Sequence, residues 1–258
     1  MKAVPLLLAF VLLVAGCGSK KDDALVVGMD LSYPPFETID KSGQPAGASV
    51  DLARALADFL HRPLRIENIP FVGLVPALKS GRVDVVISSM TDTPERRKSI
   101  VFSDPYVTIG LALLAGKNSP VSAAADLDQP GRTLAVRQGT TGEVWARANI
   151  HAARILALDK ESSAVLEVLQ GRADAFLYDQ MSVWQNWKQH PAATRALLEP
   201  VQREHWAVGL RQGDDALREQ VNAFLRQYRA EGGFERLGDR YLGEQKADFR
   251  ARGVPFYF

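Results

Sequence analysis

The apolar run VDVVI at 83–87 is followed by SSMTDTPERR at 88–97, a row of hydroxyls and a methionine that ends in two arginines. A guanidinium is a planar fork of donors that matches a carboxylate, and Ser88, Ser89 and Thr91, with the backbone around Met90, supply further donors. Arg96 is therefore a candidate to hold a small anion. Its neighbours Glu95, Arg97 and Lys98 fit a solvated helix start equally well. Thr140 and Thr141 stand where a strand meets a helix N-terminus, whose free N–H groups and dipole favour an anion, although either could simply cap the helix. Asp179 ends the apolar run in AFLYD, where a carboxylate is costly unless a cation or hydrogen-bond donors meet it. Tyr33 and Phe71 could enclose an apolar or cationic group, or could be ordinary packing. Asp30 is placed to meet a polar or cationic end. An anion holder, a carboxylate and aromatic walls together suit a small zwitterion.

These residues need elements to position them. LVVGM at 25–29 reads as a strand that breaks at Asp30 and the Tyr33-Pro34-Pro35-Phe36 turn. In ASVDLARALADFL, Val50, Leu52, Ala53, Leu56 and Leu60 fall on one helical face, and Pro63 ends the pattern. LRIEN is a strand, VPALKSG a helix closed by Gly81, and VDVVIS a buried strand. Further on, RTLAVRQ is a strand, Gly139 to Gly142 a turn, EVWARANI a helix, SAVLEVLQG a helix and ADAFLY a strand. The order predicts an α/β fold with parallel strands and ligand sites beyond the strand ends.

Two stretches repeat one another. LKSGRVDVVISS at 78–89 and LQGRADAFLYD at 169–179 align with a one-residue gap, which makes Ser89 and Asp179 equivalent, each five residues beyond an aspartate, Asp84 or Asp174. Two lobes of similar build are expected, with Ser89 and Asp179 facing a shared cleft. VFSDPYVTIGLALLAG at 101–116 would cross between the lobes and EHWAVGLRQG at 204–213 would return, so that two crossings form a hinge. The helices around ALREQVNAFLRQYRAEG and FERLGDRYL would then lie on the first lobe.

The chain has 258 residues, enough for one large or two modest domains, and its 31 Lys and Arg against 30 Asp and Glu leave no field pointing to nucleic acid. Met1-Lys2 and the apolar segment from Ala3 to Val14 read as a secretory signal, too short to span a bilayer. The segment ends in Val14-Ala15-Gly16-Cys17, which resembles the lipobox of bacterial lipoproteins, so lipidation at Cys17 is expected. Cys17 is the only cysteine in the chain, which leaves no internal disulfide. The four histidines lack metal-site spacing, and no nucleophile turn, P-loop or dinucleotide fingerprint occurs. Neither metal nor cofactor is expected.

Together these residues resemble the bacterial extracellular solute-binding proteins for polar amino acids, the receptors of ABC importers, in lipoprotein form. The likeness runs from about Leu25 to Leu242 and is most specific in GMDLSYPPFE, FVGLVPALKSGRVDVVISSMTDTPERRKSIVFSDPY, RQGTTGE and DAFLYD. It implies a two-lobed, type II periplasmic-binding-protein fold. Residues 1–16 would be the signal and 17–24 a tether; 25–110 with 206–258 would form lobe 1, and 111–205 lobe 2. It further implies that Arg96 clamps the α-carboxylate with Ser89, Thr91 and Thr141, that Asp179 holds the α-amino group, and that Tyr33 and Phe71 sandwich the ligand. Asp30 would face the ligand's side chain. Arg137 departs from relatives with basic ligands, and would repel such a ligand, recruit an acidic one, or pair with Asp30.

The partners implied are an amino acid, ABC permease subunits and the membrane through the anchor, for a monomer outside the cytoplasm. The family also includes cyclohexadienyl dehydratases, which GTTGEVWARANIHAARIL partly resembles. QMSVWQNW after Asp179 offers no acidic residue as the general acid that chemistry needs. A sensor of a signalling protein would need a second module, which this sequence does not show.

Overall fold

The computed structural model describes residues 23–254, so Cys17, the signal segment and the last four residues lie outside the described part. The elements run β1 (Leu25–Met29), a short pair β2 (Thr38–Ile39) and β3 (Pro45–Ala46), α1 (Ala48–Phe59), β4 (Leu64–Asn68), α2 (Phe71–Lys79), β5 (Val85–Val86), α3 (Pro94–Arg97) and β6 (Val101–Gly116). Then follow β7 (Thr133–Arg137), α4 (Thr141–Asn149), β8 (Arg154–Leu158), α5 (Glu161–Leu169), β9 (Ala175–Asp179), α6 (Gln180–Gln189), β10 (Thr194–Leu210), α7 (Asp215–Ala230) and α8 (Gly233–Ala251).

Eight strands form one sheet in the order β4-β1-β5-β10-β6-β9-β7-β8, with β2 and β3 apart. Two parallel triplets, β4-β1-β5 and β9-β7-β8, stand at either end. The long antiparallel pair β6 and β10 joins them: β10 meets β5 at Gly209 and Leu210, and β6 meets β9 from Leu111 to Ala115. This is the two-lobed α/β fold expected, with both crossings made by strands of one ladder. The ladder's register shifts between Leu197 and Gln202 and twice between Trp206 and Gly209, where the strands bend from one triplet to the other.

The sequence repeat has a physical counterpart. Asp84 Oδ2 accepts from Val26 N at 3.0 Å, and Asp174 Oδ2 accepts from Thr133 N at 2.8 Å, so each aspartate ties the loop before its strand to the first strand of its own lobe. Each also has an arginine beside it, Arg62 and Arg132 respectively. Each half is thus folded around the same link, and the strand after each aspartate ends at the centre of the molecule.

The helices cover the sheet by their apolar faces. Val50, Leu52, Ala53, Leu56 and Ala57 of α1 are buried, while Arg54 and Asp58 are exposed; each fully buried aliphatic side chain contributes about 1.5–3 kcal/mol. β5 is shorter than expected, because the chain turns away at Ser89, which adopts a φ of 49°. α8 is longer than FERLGDRYL suggested. Its first half lies on α1 and α7, with Tyr241 Oη donating to Asp51 at 2.6 Å. Its second half reaches α6: Gln245 Nε2 donates to Met181 O at 3.0 Å, Trp184 Nε1 donates to Asp248 at 2.6 Å, and Phe249 packs edge-on against Trp184. Phe249, near the end of α8, is fully buried there.

Candidate functional site

The carboxyl ends of β1, β5, β7 and β9 converge on the middle of the β6–β10 ladder and enclose a cavity of about 30 Å³. A volume of that size holds about one water, so the lining side chains meet one another across it. Asp30, Tyr33, Phe71, Ser88, Ser89, Thr91, Arg96, Arg137, Thr140, Thr141 and Asp179, all singled out in the sequence, line it. Met90 does not: its side chain packs into the core under α2 beside Leu74, and only its carbonyl serves nearby, accepting from Ala207 N at 3.1 Å. Ser89 turns the chain with a φ of 49° and carries Met90 away from the cavity into the core.

Arg96 is positioned by a one-turn helix. Thr93 caps α3, its hydroxyl accepting from Arg96 N at 3.2 Å, and Pro94 presets the first turn. The guanidinium donates to Thr91 O at 2.7 Å within its own half, and to Gly139 O at 3.1 Å in the other. Gly139 has a φ of 75° in the turn between β7 and α4, a conformation that glycine adopts without strain. Burial lowers the Arg96 pKa, opposed by nearby Glu204.

Across the cavity stands the N-terminus of α4. Thr140 gives its hydroxyl to Arg137 O at 2.7 Å and does not cap the helix, so the first-turn N–H groups of this nine-residue helix have no side-chain acceptor from their N-cap. Asp179 caps α6, accepting from Met181 N at 3.0 Å and Ser182 N at 3.1 Å. Its Oδ1 also accepts from Tyr33 Oη at 2.7 Å, which bridges the two halves. Burial pushes the Asp179 carboxyl up to about 7.

The aromatic walls differ from the expected sandwich. Tyr33 stacks on Phe36 with centroids 5.4 Å apart and meets Tyr178 and Trp206 edge-on. The Phe71 ring is taken by two protein cations, with Arg96 at 5.4 Å and Arg137 at 5.6 Å from its centroid. Of the three outcomes open for Arg137, the third holds. Its guanidinium forms a short ion pair with Asp30, and it also donates to Tyr178 Oη at 3.2 Å and Asp159 O at 3.4 Å. Asp30 in turn accepts from Ser32 Oγ at 2.6 Å and from Phe71 N at 2.9 Å, the latter at the N-terminus of α2. The two charges neutralise each other.

Five lining residues escaped the sequence reading: Glu37, Leu111, Tyr178, Glu204 and Trp206. Glu37 lies within PPFE, fully buried, with Ser88 Oγ at 3.4 Å and Ser89 Oγ at 3.2 Å donating to it; burial raises it to about 8. Glu204 sits in the otherwise apolar return segment EHWAVGL, and that buried carboxylate was the signal available. Its Oε2 accepts from Thr91 Oγ1 at 2.9 Å and Thr141 Oγ1 at 2.8 Å. All three hydroxyls expected to serve a ligand carboxylate, Ser89, Thr91 and Thr141, therefore give their hydrogens to protein carboxyls. Among the described residues there is no cluster of three His, Cys, Asp or Glu able to hold a metal, and no helix is long and apolar enough to cross a membrane.

Residues 25–244 match the family model of bacterial extracellular solute-binding proteins, family 3. The chain is similar to the L-cystine-binding protein TcyJ of Escherichia coli K12, 28% identical over 224 residues that cover 87% of this chain and 84% of the relative. Among solved structures it is similar to a binding component of an ABC transporter from Wolinella succinogenes complexed with lysine, with a TM-score of 0.80, 32% identity, and 85% and 95% of the two chains covered. It is likewise similar to the ancestral amino acid-binding protein AncCDT-1, a precursor of cyclohexadienyl dehydratase, with a TM-score of 0.78, 34% identity, and 85% and 95% covered.

Proposed function

The chain belongs to the bacterial extracellular solute-binding proteins, family 3, and from that premise we propose that it is the extracytoplasmic receptor of an ABC importer for a polar amino acid. The observation that carries this reading is the placement of Arg96 on one half and Asp179 on the other, facing one cavity. A ligand α-carboxylate would take the remaining donors of Arg96 and the uncapped N-terminus of α4, and the α-ammonium would take Asp179. The ligand side chain then meets Glu37 and the Arg137–Asp30 pair.

Residues 25–110 and 206–258 form the first lobe and 111–205 the second in this proposal, supported by β6 gaining β9 as a partner at Leu111. Bending at about 109–113 and 203–208 closes the second lobe over ligand bound to the first. The closed form then docks on the permease. Lipidation at Cys17 would keep the receptor, as a monomer, at the outer face of a membrane.

Thermal denaturation of the mature chain against the twenty common amino acids tests this. A true ligand at a hundredfold excess over Kd adds about 2.7 kcal/mol to stability, enough for a shift of several degrees. A panel without any shift would overturn the assignment.

A further inference from the structure

Glu204 lines the cavity from the ladder and not from a strand end. It stands on β10, the return crossing, and is only 4% exposed. One of its oxygens is shared by a threonine from each half, Thr91 and Thr141, and the other accepts from Gln202 Nε2 at 3.0 Å. A threonine hydroxyl has a single hydrogen to give. With both committed to Glu204, they present only lone pairs to a ligand carboxylate. Arg96, the cation expected to receive that carboxylate, already has Glu204 as its charged neighbour.

We propose that Glu204 is a specificity-determining residue which fills part of the carboxylate subsite, relaxing the need for a free α-carboxylate and extending the ligand class to amino acid amides and the corresponding amines. This inference rests on the reading of Arg96 as the carboxylate end of the site. Glu204 acts as an internal competitor: a ligand carboxylate must share Arg96 with it or displace it from Thr91 and Thr141, whereas an amide or an amine need not.

Calorimetric titration of the wild type with matched probes decides it: arginine, argininamide and agmatine; lysine, lysinamide and cadaverine; histidine, histidinamide and histamine; glutamine and glutaminamide. In at least one series the amide or amine is expected to bind within about tenfold of the acid, or more tightly. Glu204→Gln keeps the shape and the hydrogen-bond acceptor but removes the charge, and is expected to tighten binding of the acid at least tenfold while leaving the amide little changed. Acid binding with a thousandfold preference over amide and amine in every series would leave the amino-acid receptor standing and overturn this inference, as would unchanged or weakened acid binding by a folded Glu204→Gln. Binding of no probe at all would overturn this inference, while the receptor reading would still be decided by the panel of twenty amino acids. Should Glu204→Gln fail to fold, the wild-type ratio of acid to amide decides alone.

Discussion

Asp30 and Arg137 come from different halves of the molecule, so removing either charge tests both the site and the closed arrangement. Their side chains are 12% and 5% exposed, and little solvent is available to replace a lost partner. Asp30→Asn leaves the Arg137 guanidinium with neutral acceptors, Tyr178 Oη, Ser32 Oγ and Asp159 O. An uncompensated buried charge of that kind costs about 3–5 kcal/mol. Arg137→Met is expected to cost less, about 2 kcal/mol, because Asp30 keeps Ser32 Oγ and the N-terminus of α2, and hydrogen bonds to a charged group contribute about 1.5–3 kcal/mol. The double variant removes both charges and should lose about 2–4 kcal/mol less than the sum of the singles. Urea unfolding of the ligand-free protein measures all four corners of the cycle, and repeating it in 1 M salt should change little, since a buried pair is poorly screened. Singles that each cost under about 1 kcal/mol and simply add would refute the reasoning, and would mean that the halves stand apart in the free protein.

Arg96→Ala should weaken amino acid binding by about 3 kcal/mol, more than a hundredfold in Kd, measured by titration; unchanged affinity would remove Arg96 from the site. A pH dependence follows from burial, which raises Glu37 to about 8 and Asp179 to about 7. A carboxyl whose folded pKa lies above its unfolded one favours folding less as pH climbs: its penalty is absent below the unfolded range near 4 and is complete above the folded value, growing by about 1.4 kcal/mol per pH unit. Ligand-free protein should therefore lose on the order of 6 kcal/mol between pH 5 and pH 8, and Glu37→Gln should remove about half of that slope. Melts of wild type that do not change across that window would contradict it.

Much of this architecture is legible in residue patterns because those patterns are local. LVVGM gives the limits of β1 without change, and the apolar stretch expected to cross between the lobes coincides with β6. The repeat pointed to paired lobes because the aspartate before each strand makes the same backbone link in both. What stayed hidden depends on contacts distant in sequence. β8, ARILALDK in sequence, is only half-buried at the sheet's edge and gives no strong alternation. The end of α8 lacks the apolar face expected of a surface helix because it packs on α6 through Gln245, Asp248 and one aromatic. Tyr33 and Phe71 were rightly placed at the cavity, yet their partners, other aromatics and two guanidiniums, come from four separate segments. Glu204 gains its meaning only when Thr91 and Thr141, fifty residues apart, are brought to the same oxygen.

The reach of α8 has a mechanical consequence. A bilobed receptor joined only by two strands can swing its lobes with little beyond backbone bending at the crossings. Here the last turns of α8 hold α6, whose N-cap is Asp179, through the Gln245 bond to Met181 O. Rotation of the second half must either carry the end of α8 along, flexing a helix anchored by Tyr241 to Asp51, or pull Gln245 and Asp248 from their partners. The end of α8 thus acts as a spring in parallel with the hinge, loaded from the helix that Asp179 caps.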